Sequence, residues 1–108
     1  MSMGSRIYTV TGTGTSPIYA ADNFQATFNI GLAATISATA TFTVQYTLDD
    51  IFAEGYNPAT GTWWPVTNFN AISTNTAGNM TVPCRGLRLN VSASTGSVTL
   101  QIQQSGEI

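Results

Sequence analysis

ATISATATFTVQYTL, Ala34 to Leu48, alternates without a slip. Ile36, Ala38, Ala40, Phe42, Val44, Tyr46 and Leu48 take the even positions. Thr35, Ser37, Thr39, Thr41, Thr43, Gln45 and Thr47 take the odd ones. A period of two marks a β-strand with one buried face, so the even positions are the expected core face. The odd face should meet water, yet it carries no charge. As one strand, Ile36 to Leu48 would reach roughly 40 Å at about 3.3 Å per residue, against a usual strand of about 5–6 residues. Such a strand either bends across a small sandwich or projects as an exposed ribbon.

The same period recurs on both sides. Phe24 to Leu32 alternates, and Gly31-Leu32-Ala33-Ala34 reads as a tight hairpin leading into the opening stretch. Arg6 to Thr11 (RIYTVT) is a short strand, and the TGTGTSP that follows is turn-rich. Asp49 to Thr62 is a long loop with turn signals at Asn57-Pro58 and Thr60-Gly61. Pro65 cannot donate to a ladder, so Trp63 to Val66 is an edge or a very short strand. Thr67 to Gly78 reads as loop and Asn79 to Val82 as a short strand. Leu87–Ala93 and Val98–Ile102 alternate about Thr95-Gly96, which predicts a C-terminal hairpin. No helical period survives. The expected fold is all-β, an antiparallel β-sandwich or jelly roll of about seven to eight strands. It is one domain over residues 1–108, with flexible arms at 1–5 and 105–108.

Charge is the anomaly. Of 108 residues, 43% are hydrophobic, which supports a packed core, but only 7% are charged, against about 25% in typical domains. The basic residues are Arg6, Arg85 and Arg88, with no Lys, and the net charge is -2. That leaves no basic patch for nucleic acid. A surface without charge fits either an assembly that covers it or an extracellular protein relying on neutral polar groups. No apolar run approaches the roughly 18 residues of a membrane span. The N-terminus lacks the apolar core of a signal peptide, so synthesis in a cytoplasm is expected.

Few residues could do chemistry. There is no His, and Cys84 is the single cysteine. This excludes Ser-His-Asp and Cys-His nucleophiles, lysine Schiff bases and Cys/His zinc sites. Cys84 reads as a small buried hydrophobe. Asp49, Asp50 and Glu54 share one loop, but Asp49 and Asp50 alternate sides at a strand end and the EF-hand spacing is absent. They read as a solvated loop paired with Arg85 or Arg88. Neither an enzyme nor a cofactor is expected. The candidate contact residues are the Thr face (Thr35, Ser37, Thr39, Thr41, Thr43) and the loop aromatics Phe52, Tyr56, Trp63 and Trp64. Adjacent Trp63 and Trp64 face opposite ways if extended. One can close the core while the other stacks on a sugar or anchors a protein.

VQYTLDDIFAEGYNPATGTWWPVTN, VPCRGLRLNVS and SVTLQIQQSG carry a resemblance. A strand ending in YTLDD, a loop with NPAT, a Trp, an R-x-x-R-L-N-V strand and a T-L-x-I strand follow in order. Together they resemble small structural proteins encoded by tailed bacteriophages, over Val44 to Gly106. The resemblance implies a virion component made in the host cytoplasm, by size and composition a capsid decoration or cement protein. Its partners would be the major capsid protein and copies of itself. A tail or neck component, or a carbohydrate- or receptor-binding module using Trp63 or Trp64, is the alternative. The pattern carries no catalytic signature and assigns no binding residue.

Overall fold

The computed structural model describes residues 3–20, 30–80 and 84–104. Nine strands follow in order: β1 (Met3–Thr11), β2 (Gly14–Thr15), β3 (Tyr19–Ala20), β4 (Ile30–Ser37), β5 (Ala40–Thr47), β6 (Trp64–Pro65), β7 (Thr76–Met80), β8 (Gly86–Ser94) and β9 (Ser97–Gln104). Six are long, and three have two residues each. A four-stranded sheet has the order β1-β9-β4-β7. A five-stranded sheet has the order β2-β8-β5-β6, with β3 also on β8. Every pairing is antiparallel. The all-β sandwich expected from the alternation is the observed class.

The opening stretch is two strands, not one. β4 belongs to the first sheet and β5 to the second, and the chain crosses between them at Ala38 and Thr39. Ala38 takes a φ of 66°, in the left-handed region that a side chain disfavours. The long alternation is thus satisfied by bending across the sandwich. β8 and β9 do the same at Thr95-Gly96, so the expected C-terminal hairpin is incorrect. β8 pairs with β5 (Ala40 opposite Ser94) and β9 with β4 (Ser37 opposite Ser97). The alternation identified both strands but not their partners, because period two is local and pairing is not.

The two crossings lie side by side. Thr95 N–H donates to the Thr39 carbonyl at 2.8 Å. β1 and β2 repeat the bend at Gly12, whose φ is 74° and whose N–H reaches the Gly96 carbonyl at 2.9 Å. Three chain segments (β1/β2, β9/β8 and β4/β5) therefore form one folded ribbon. Strands that switch sheets at bends make the corners of such packings. At Gly96 a Cβ would collide with the Ser37 carbonyl oxygen and stand 2.9 Å from the Ala38 Cβ, so only glycine fits.

The core lies between the layers. Ile30, Leu32, Val98, Leu100 and Ile102 project from one sheet, and Phe42, Val44, Leu87, Leu89 and Val91 from the other; all are buried. Each such side chain contributes roughly 1.5–3 kcal/mol. Val66, Phe69 and Cys84 close it from the connections. Burial pushes the Cys84 thiol up to about 12, which suits the inert hydrophobe expected.

Other expectations need correction. Gly31–Ala34 lies inside β4, paired to β7 and β9, and is not a hairpin. The alternating positions 24–29 lie outside the described residues. The even face ends early: Ala38 is exposed, Leu48 is 59% exposed, and Thr47 is buried instead. Thr47 is satisfied because its hydroxyl donates to Thr62 O at 2.7 Å and accepts from Asp49 N–H at 3.0 Å. β7 begins at Thr76, earlier than expected, and 81–83 lie outside the described residues. Met3–Ser5, expected in an arm, belongs to β1. Residues 105–108 lie outside the described residues. The short edge strand at Trp64-Pro65 is as expected: among the described residues β6 pairs only with β5.

Candidate interaction surfaces

The bend divides the Thr face. Thr35 and Ser37 stand exposed on the outside of the four-stranded sheet. Thr41 and Thr43 stand half-buried on the outside of the other sheet, across the sandwich. Thr39 is exposed at the corner, where its N–H donates to Thr95 Oγ1 at 3.3 Å. A continuous Thr surface along residues 35–43 is therefore incorrect, because the two sheets face opposite ways. Thr43 has a structural task as well. Its hydroxyl accepts from Ala71 N–H at 3.0 Å and lies 3.4 Å from Asn70 Oδ1, which holds the 66–72 segment beside β5.

Thr35 and Ser37 instead belong to a face that crosses strands. Cross-strand partners share a face. Thr9, Thr99 and Thr35 form one row, and Thr11, Ser97 and Ser37 the next. Ile7, Gln101, Ala33 and Ala77 form a third, followed by Gln103, Gly31 and Asn79. No residue in these rows is ionisable. Thr9 Oγ1 and Thr99 Oγ1 are 3.1 Å apart, so one row is bonded along itself. Around Gly31 and Ala33 the small side chains leave a groove of about 350 Å³, also lined by Arg6, Ile7, Gln101 and Gln103. Ile7, Thr99, Gln101 and Gln103 were absent from the sequence candidates. For Thr99, Gln101 and Gln103 the signal was present, since they are the outward positions of the alternating C-terminal run; Ile7, apolar beside Tyr8, gave none. Only the β1–β9–β4 pairing brings them together.

The aromatics divide differently. Arg88 projects outward from β8 opposite Gln45 of β5. Its Nε–H donates to Gln45 Oε1 at 2.8 Å, and its guanidinium carbon lies 4.1 Å over the Trp63 ring. Burial under this arrangement lowers the Arg88 pKa, while Tyr56 acts the other way. Trp63 Nε1–H donates to Pro58 O at 3.1 Å, so the loop lies over the outer face of the five-stranded sheet. Such cation–π stacking contributes about 0.5–1 kcal/mol at exposed sites and more where water is excluded. Trp63 is half-buried there and does not close the core. Trp64, on the edge strand opposite Tyr46, is 53% exposed, and Phe52 is 78% exposed.

The loop carboxylates are engaged locally. Asp49 Oδ2 accepts from Thr62 N–H at 2.8 Å and from the half-buried Tyr56 hydroxyl at 3.4 Å. Asp50 accepts from Phe52 N–H at 3.1 Å and lies 3.5 Å from Arg85 Nη1. This is the pairing with Arg85 that the sequence suggested, and both groups are exposed enough that it contributes about 0–1 kcal/mol. Among the described residues no three His, Cys, Asp or Glu gather to hold a metal. No helix among them is long and apolar enough to cross a membrane.

Comparison with protein-family models, with curated proteins and with solved structures finds no match to this chain.

Proposed function

We propose that this chain is a structural protein of a tailed-phage particle, of the capsid decoration type, with no catalytic role. It binds major capsid subunits through the outer face of the four-stranded sheet. One observation carries the reading: that face spans four strands and is built of Thr, Ser, Gln, Asn, Ala and Gly with the exposed Ile7 among them, and no side chain in its rows is ionisable. Burying a charge without a partner is costly, and the cores of protein interfaces are depleted of charge. Hydroxyls and amides can find new partners at much lower cost. The resemblance of residues 44–106 to phage structural proteins points the same way. On a repeating lattice, many equivalent weak contacts add affinity through multivalency.

The test is rebinding to capsids that lack the chain. Wild type should saturate them and raise their thermal disruption temperature. Thr35→Lys combined with Gln101→Lys places charges in the middle of the face and should abolish binding while the fold persists. Wild type failing to bind, or the double variant binding as well, would overturn the reading. Trp64, with half its surface open, favours a second reading as a glycan- or receptor-binding module. In that case a glycan array returns hits that Trp64→Ala removes and Thr35→Lys does not.

A further inference from the structure

Sheet edges expose rows of unpaired N–H and C=O groups, and proteins protect them by known devices. Most edges here are protected. β6 has two residues, one of them Pro65. β2 and β3 have two residues each, with Pro17 between them. β7 has five residues, with Gly78 among them. Beside β5, the 66–72 segment donates and accepts bonds at Val44 and Phe42.

β1 is the exception. It has nine residues, ends the four-stranded sheet, and pairs with β9 on one side. Among the described residues no strand pairs with its other side. From Ser5 to Thr11 its register with β9 is unbroken; the irregularity lies between Met3 and Ser5. That stretch contains no Pro, Lys or acidic residue, and Arg6 is its one charge. Ile7, at its centre, is 63% exposed on the outer face.

We infer that the β1 edge is a dimer interface between two copies of this chain, joined antiparallel about a twofold axis perpendicular to the sheet. The chemistry of the edge calls for an extended backbone, and a twofold makes β1 its own complement. The axis also places outer face beside outer face. Centring on Tyr8 pairs Ser5 with Thr11 of the second copy and uses the whole regular stretch. Arg6 then faces Val10 of the second copy and not the second Arg6. Ile7 packs beside Thr9 of the second copy, which covers an apolar side chain otherwise in water. A register centred on Arg6 would oppose two like charges. The two four-stranded sheets become one continuous sheet, with their uncharged outer faces on the same side.

Sedimentation of the full chain decides this. Wild type should sediment at twice the 11.4 kDa chain mass. Ile7→Lys with Thr9→Lys sets new ammonium groups opposite one another across the axis and should give the monomer mass. Thr35→Lys lies on the same face but off the edge and should leave the dimer intact. A monomeric wild type, a mass other than the dimer's, or a dimer surviving the edge substitutions would overturn the inference. Were the edge variant to unfold, hydrogen exchange on wild type decides instead. Alternate β1 amides should exchange more slowly as concentration rises, and rates independent of concentration would overturn it. The inference does not rest on capsid binding. A dimer that ignores capsids leaves it standing and removes only the decoration role.

Discussion

Gly96 and Ala38 meet where the folded ribbon turns, and their backbones ask for opposite things. Gly96 needs its missing Cβ because the Ser37 carbonyl fills that space. Ala38 carries a Cβ at a φ of 66°, where glycine would sit without strain. Gly96→Ala should therefore lower stability by about 3 kcal/mol, the upper end of overpacking costs. Ala38→Gly should raise it by about 0.5–1 kcal/mol, since relief of the left-handed strain exceeds the entropy glycine adds to the unfolded chain. Urea denaturation of the two variants measures both. No change in either variant would show that the corner relaxes freely. Neither residue announces its role in the sequence: both sit among small polar residues, and the collision exists only because two distant crossings touch.

The loop from Asp49 to Thr62 behaves as an element despite having no regular structure. Its closure depends on Asp49 Oδ2, which accepts from Thr62 N–H and the Tyr56 hydroxyl, and on Trp63 held between Arg88 and Pro58. Asp49→Ala removes two bonds of about 1 kcal/mol each, so stability should fall by about 1–2 kcal/mol. The loop should also become the first site cut in limited proteolysis, while the core amides keep their exchange protection. Unchanged cleavage would show that Trp63 and Arg88 hold the loop alone. The sequence marked this loop correctly from its turn residues, and marked most of the strands from period two. It misassigned the turns at Gly31 and Gly96 because a glycine between alternating runs looks alike as a hairpin, a sheet-to-sheet corner or a strand interior. Thr47 escaped notice because a polar residue at an outward position gives no sign that the chain is about to rotate.

At the scale of the molecule, opposite sides of the sandwich carry different chemistry. One side shows the uncharged rows of β1, β9, β4 and β7, and the other carries Arg88, Trp63 and the closed loop. Binding through the first side should depend weakly on salt, because screening acts on charges and the rows of this face carry none, Arg6 at the groove being the one charge near them. An affinity change below about threefold from low to high ionic strength is expected in capsid titrations. A fall of many-fold would move the contact to the arginine side. The residues alone were enough to make this chain a sandwich of alternating strands, to put Phe42 and Val44 in its core, and to show a sequence starved of charge. These are local or compositional properties: the side-chain period follows from the pleat of a single strand, and charge can be read without knowing any partner. Which outward residues form one face was decided only by the tertiary structure. The same Thr positions that look continuous from 35 to 43 divide at Ala38 onto opposite sides. Thr35 joins Thr9 and Thr99 from distant parts of the chain, because strand pairing is a long-range contact that a local period does not encode.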